Sequence, residues 1–281
     1  MSLNSPALAV ALLASFSALP QASTPSTTTP AHAALPREKG VLYGVVGRNE
    51  SIPNGSLLRV DLAKLAIEDL GPVAAHDGLH FPTDAALDPD GKHLWIAQTS
   101  FGGTPEAWRT VLQRIELATR KEDRWIPVSG TTYLDALAFD AAGHLLAIER
   151  SSVPENLVRV DRTNGTFTRL GDTGDFGVRG LAFHGAELWA VAEKRVPAPQ
   201  HVEELLRLDP ANGHVLAHTP IPVGTDEHAL ALAFTPSGRC LISLQGPSSP
   251  PGRIASIDPT TGALTTWIQN LLVPHGMQAA K

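Results

Sequence analysis

YLDALAFDAAGHLLAIER (133–150) is an apolar strand, a tight turn and a second apolar strand, and the chain returns to that phrase repeatedly. FPTDAALDPDGKHLWIAQ (81–98), VRGLAFHGAELWAVAEK (178–194) and HALALAFTPSGRCLISLQ (228–245) repeat it. Each unit runs on into a second pair of strands. NLVRVDRTNGTFTRLG (156–171), LLRLDPANGHVLAHT (205–219) and RIASIDPTTGALTTW (253–267) are nearly interchangeable. Four short strands at a fixed period of about 45–50 residues predict an all-β fold, a β-propeller with one four-stranded antiparallel blade per repeat.

The first unit starts late. VLYGVVG (41–47) matches the second strand of a blade, and SLLRVDL with AIEDLGPV supplies the third and fourth. The C-terminal LVPHGMQAAK aligns with HFPTDAALD, Pro274 on Pro82, and is the candidate for the missing innermost strand. A C-terminal strand paired into the first blade closes the ring and removes two open sheet edges. Innermost strands centred near Ala85, Leu137, Leu181, Leu232 and Met277 make five blades. The third strands end in Asp61, Asp161, Asp209 and Asp258, where an Asp heads a turn by accepting nearby backbone amides.

Composition bounds the rest. The 281 residues are 43% apolar, enough to bury a full core, and the net charge is −6 with no basic stripe, which argues against a nucleic-acid partner. PALAVALLASFSAL (6–19) has the length of a signal-peptide h-region, with small-residue sites at Ala22 and Ala33, although no Lys or Arg precedes it. The expectation is a signal peptide over 1–22, with cleavage as late as 33 as the alternative. A Ser/Thr/Pro-rich linker over 23–40 and a propeller domain over 41–281 follow, with no transmembrane segment in the mature chain. The protein is then periplasmic or secreted. The single cysteine, Cys240, begins an apolar strand and reads as a buried, inert thiol.

Loop lengths separate the two faces of the ring. One face carries minimal turns such as DPDGK, DAAGH, RTNG and PTTG. The other carries GRNESIPNGS (47–56), QTSFGGTPEAWRT (98–110), RSSVPEN (150–156), KRVPAPQHVEE (194–204) and QGPSSPPG (245–252). Recognition concentrates on loops held by a rigid scaffold, so the long-loop face is the expected working face, taking a small molecule or a protein partner.

Where the innermost strands begin on that face, the repeat alignment places Thr83, Asp135, Arg179 and His275 at equivalent positions, with His228 nearby. Asp84 and Gln278 replace an Ala or Gly of other blades, and Glu149 and Glu193 end second strands on the same side. Phe101 and Trp108 lie in a long loop and could line a pocket. Three readings are open. His228, His275 and Asp135 with Glu149 or Glu193 could hold a divalent ion, calcium, magnesium, manganese or zinc, with Asp135, His275 and Glu149 the favoured set. His228 or His275 beside Glu149 could act as acid–base groups of a hydrolase or lyase, with Thr83, Asp84, Arg179 and Glu193 binding the ligand. Or the polar ring is an internal network in which Arg179 neutralises Asp135 and Glu149. The chain has no GxSxG elbow, P-loop or paired-cysteine motif.

DALAFDAAGHLLAIER followed by NLVRVDRTNGTFTRLG resembles the propeller superfamily of senescence-marker/gluconolactonase proteins, NHL-repeat proteins and streptogramin lyases. The resemblance spans nearly all of 41–281 and is carried mostly by the blade pattern. For the gluconolactonase group it implies a divalent metal at the channel mouth, with Asp135 as an acidic ligand, although the full Glu–Asn–Asn–Asp set is absent and that group has six blades. For the streptogramin lyases, which have seven, it implies axial histidine and glutamate in a magnesium-dependent reaction, with His228, His275 and Glu149 in similar places. The sequence therefore predicts an exported five-bladed propeller that binds a ligand at its axial mouth, with a metal-assisted hydrolase or lyase as the alternative.

Overall fold

The computed structural model describes residues 38–46, 55–73, 80–100, 109–129, 133–150, 153–195, 201–224, 226–246, 252–269 and 273–280. The predicted signal segment and most of the linker lie outside them, as do Phe101 and Trp108. Blade 1 begins with β1 (Val41–Val46), β2 (Ser56–Asp61) and β3 (Ala66–Pro72). Blade 2 is β4 (His80–Leu87), β5 (His93–Ser100), β6 (Arg109–Glu116) and β7 (Lys121–Pro127). Blade 3 is β8 (Leu134–Phe139), β9 (Leu145–Glu149), β10 (Asn156–Val160) and β11 (Phe167–Asp172). Blade 4 is β12 (Phe176–His184), β13 (Glu187–Lys194), β14 (Glu203–Leu208) and β15 (Val215–Ile221). Blade 5 is β16 (His228–Phe234), β17 (Cys240–Gln245), β18 (Arg253–Ile257) and β19 (Leu264–Gln269). The last strand, β20 (Gly276–Ala279), pairs antiparallel with β1 and completes blade 1, so the ring closes as predicted.

Each innermost strand touches the next around the ring, β20 to β4, β8, β12, β16 and back. The apolar core lies between blades. Ile148 and Leu157 of blade 3 meet Val178, Leu181 and Leu206 of blade 4, and Val191 and Leu205 of blade 4 meet Leu232 and Ile242 of blade 5. Burying one such side chain contributes about 1.5–3 kcal/mol, and the inner strands bury both faces because a neighbouring blade covers each. The outermost strands β3 and β7 alternate exposed and half-buried residues, and their charged outer positions blunt the blade edges.

The repeated aspartates close turns. Asp61, Asp161, Asp209 and Asp258 each accept an amide two residues on, at 2.8–3.1 Å. Gly165 shows why such a turn uses glycine: its φ is 74°, and a Cβ there would overlap the Pro127 carbonyl of the preceding blade. Cys240 is buried and free, and burial pushes its thiol up to about 12. Among the described residues no helix is long and apolar enough to cross a membrane.

Candidate functional site

The innermost strands carry β-bulges at the same level. The ladder skips Thr83 in β4, Ala136 and Leu137 in β8, Arg179 in β12 and Leu230 in β16. A bulge leaves the extra residue unpaired and re-aims its side chain. In the repeat alignment the set at this level is Thr83, Asp135, Arg179, Leu230 and His275; Thr83, Arg179 and Leu230 are the bulged residues, and Asp135 stays in the ladder just before its bulge. His228 lies two residues before its blade's equivalent position, level with Tyr133.

Asp84 lies at the narrow axis. It is buried, accepts from Ala85 N at 2.7 Å, and reaches across to Leu137 N of the next blade. Gly276 faces it, and a Cβ there would overlap the Asp84 carboxyl. Burial, and then the nearby Asp135 charge, hold the Asp84 carboxyl well above the usual range. Thr83 makes long contacts to the Ala97 and Leu134 carbonyls, at 3.3 and 3.4 Å. His275 donates its backbone amide to Val45 O at 2.7 Å, and its crowded surroundings hold the imidazole neutral, down to about 4.

Asp135 belongs to a closed network between blades 3 and 4. It accepts from Arg150 at 2.9 Å, Tyr133 at 3.1 Å and Ala136 N at 3.0 Å. Arg150 also binds Glu155 at 3.1 Å, Arg195 binds the same carboxylate at 2.6 Å, and Glu155 Oε2 accepts from Val178 N at 2.9 Å. Desolvation raises Asp135 and Glu155, and Arg150 opposes that rise in both. Glu149 is fully buried on another side of its blade, held by Arg169 at 2.6 and 2.7 Å and by Asn156 at 3.3 Å.

Arg179 builds a different group. It binds Glu203 at 2.6 Å and Glu193, and its Nη1 is 3.2 Å from His228 Nδ1. His201 bridges the two carboxylates, Nδ1 at 3.1 Å from Glu193 Oε1 and Nε2 at 3.1 Å from Glu203 Oε1. His228 Nδ1 is 3.3 Å from Glu203 Oε1, and the two imidazoles stand edge to face at 4.5 Å. Arg179 and His228, with Leu230, Gln245 and Gly246, line a cavity of about 280 Å³. On the short-turn face a second cavity of about 610 Å³ opens at the other end of the axis, floored by Leu87, Phe139, Phe183 and Phe234.

Of the sequence-predicted residues, Arg179, Glu193 and His228 come together. Of the predicted metal ligands, His228 and Glu193 therefore come together, whereas the favoured set of Asp135, Glu149 and His275 does not join them: Arg150 and Arg169 hold the two carboxylates, and His275 enters from blade 1. The predicted pairing of Arg179 with Asp135 and Glu149 is replaced by pairing with Glu193 and Glu203. Sequence reasoning passed over His201 and Glu203. A signal for Glu203 was present: counted back from the turn aspartates, Glu203 and Glu155 occupy the position where blades 1 and 5 have Gly55 and Gly252.

No family model matches the chain, and no curated protein is significantly similar to it. Solved structures are similar in fold. A chain of the nidogen/laminin complex superposes with a TM-score of 0.53 at 15% identity, covering 85% of this chain and 81% of that one. An exo-β-1,3-galactanase from Clostridium thermocellum gives 0.58 at 10% identity, with 83% of this chain and 61% of the galactanase covered. These likenesses establish the β-propeller fold; one neighbour comes from a protein–protein complex and the other is an enzyme, so the fold does not choose a function.

Proposed function

We propose that this is an exported β-propeller that binds a small ligand on its long-loop face, at the mouth between blades 4 and 5. The observation that carries the reading is the cavity lined by Arg179 and His228, backed by Glu193, His201 and Glu203. A concave site with a few convergent polar groups is the usual form of a small-molecule site. Arg179 supplies a guanidinium, bound to Glu203 and Glu193, that can exchange onto a carboxylate or phosphate group, His228 a second polar contact, and Leu230 an apolar wall. Export rests on the apolar run at 6–19 and the Ser/Thr/Pro-rich stretch after it. A metal-assisted hydrolase or lyase is the second reading, favoured only by the clustering of His201 and His228 with two glutamates.

The test is a thermal-shift screen of small carboxylates, phosphates and lactones on the purified chain. A ligand at about 100 times its dissociation constant adds about 2.7 kcal/mol, visible as a raised midpoint. Hits lost in Arg179→Met or His228→Ala and kept in Phe183→Ala support the long-loop face. Hits lost only in Phe183→Ala move the site to the short-turn cavity and overturn the reading.

A further inference from the structure

We propose that Glu203, His201 and His228, oriented by Glu193, form a site for one transition-metal ion, with zinc as the best-suited occupant. The inference deepens the ligand-binding reading and rests on the same mouth. One donor atom from each of the four residues lies within 4.8 Å of the others. Glu203 Oε1 stands 3.1 Å from His201 Nε2 and 3.3 Å from His228 Nδ1. Ligands about 2.0–2.2 Å from a tetrahedral ion are separated by about 3.3–3.6 Å, so each imidazole nitrogen already stands close to coordination spacing from the carboxylate oxygen.

A second observation points the same way. The Glu203 side chain is fully buried, and its Oε2 has no hydrogen-bond partner among the described residues. A buried carboxylate oxygen without a partner is costly, and such groups are normally satisfied. The equivalent residue one blade earlier shows what satisfaction looks like: Glu155 Oε2 accepts the Val178 amide of the next inner strand. In blade 2, Thr110 Oγ1 fills the corresponding role by accepting from Leu134 N at 3.0 Å. Glu203 keeps one oxygen out of that scheme and places its other oxygen between two imidazoles.

His201 has the geometry of an oriented metal ligand. Its Nδ1 faces Glu193 at 3.1 Å, and its Nε2 faces Glu203 Oε1 at 3.1 Å and the Glu227 carbonyl at 3.3 Å; an ion bound at Nε2 would take the place of a proton there, with Glu193 still holding Nδ1. A carboxylate holding the far nitrogen of a ligating histidine is the common outer-shell arrangement. Two imidazoles with carboxylates favour zinc, cobalt or manganese; calcium and magnesium prefer all-oxygen sites. Arg179 is the competitor, since its guanidinium neutralises Glu193 and Glu203. An ion entering at Glu203 displaces that fork toward the adjoining cavity, where it is free to meet an anionic ligand.

The experiment is titration of the EDTA-stripped, tag-free full chain with Zn²⁺ and with Co²⁺, read by calorimetry and by the visible cobalt bands. One equivalent should bind with four-coordinate cobalt absorption. His228→Ala and Glu203→Gln should weaken it about 10–100-fold, and Arg179→Met should tighten it. Because His228 is the most exposed ligand, its variant keeps the test alive if Glu203→Gln misfolds. The proposal is overturned if no stoichiometric binding occurs, or if binding is equal in all the variants, which would place the ion on surface histidines. Hits in the ligand screen together with no stoichiometric zinc or cobalt binding would overturn the metal site and leave the ligand-binding reading standing. Stoichiometric binding of the ion with no hit in the ligand screen, with or without zinc, would overturn the ligand-binding reading and leave the metal site standing.

Discussion

Glu155 in blade 3 and Glu203 in blade 4 occupy the same place in the repeat and are used in opposite ways. Glu155 is closed: two arginines and the Val178 amide take its oxygens, so it ties blade 3 to blade 4. Glu203 is open: one oxygen meets Arg179 and two histidines, and the other has no hydrogen-bond partner among the described residues. A carboxylate buried to hold two blades together needs every lone pair satisfied, because desolvation is offset only by complete pairing. A carboxylate left partly satisfied, beside groups that can ligate or exchange partners, is built for something that arrives later.

The sharpest way to break the comparison is to neutralise both. Glu155→Gln should lower the unfolding free energy by about 2–4 kcal/mol in urea, discounted from the 3–5 of a fully buried pair because Arg150 and Arg195 are partly exposed. Glu203→Gln should cost about 1 kcal/mol or less, since Arg179 keeps Glu193 and no backbone amide is orphaned. Equal losses would mean that both residues are structural ties and that the open group is no site.

A smaller effect concerns pH on the closed side. The Asp84 carboxyl keeps its proton to a higher pH in the folded state than in the unfolded chain, because of burial first and the Asp135 charge second. The folded state then binds more protons, so this group's contribution is fullest below the ordinary aspartate value of 3.8 and declines as pH rises toward the raised folded value. Subtracting the stability of the Asp84→Asn variant from that of the wild type should give a difference that falls with rising pH. The slope is at most about 1.4 kcal/mol per pH unit for one proton. A difference flat from pH 4 to 8 would show that the axial carboxyl is ordinarily ionised and that the axis is wet.

The least effect is local. His275, which directly precedes β20 in blade 1, should titrate near 4 by NMR, well below the ordinary 6.5, because its surroundings exclude the charged ring. A titration close to 6.5 would mean that the mouth is as open at blade 1 as at blade 4. Burial of this kind costs stability as pH falls from 6.5 toward 4, where only the unfolded chain takes up the proton.

Much of the fold was legible. Repetition of strand, turn and strand identified the blades, the Pro274-on-Pro82 alignment identified the closing strand, and the aspartates and glycines marked the turns. The alignment also picked out Arg179 and Glu193 as departures from an apolar pattern. His201 and Glu203 escaped because they sit in KRVPAPQHVEE, a loop whose variety hides any single residue. Asp135 and Glu149 were taken for ligands because both stand at the correct end of a strand. That spacing does not say which arginine waits beside each.

Sequence alone determined the number of blades, their four-strand plan and the way the ring closes, because alternation and turn chemistry are local and repeat in every unit. Only the tertiary structure decided the pairing of charges. Arg179 meets Glu203, 24 residues away, because a bulge in β12 turns its side chain out of the ladder and β14 brings that carboxylate alongside. Contacts of that kind depend on how strands are staggered within and between blades, and a displacement of one residue would reverse which face each side chain occupies.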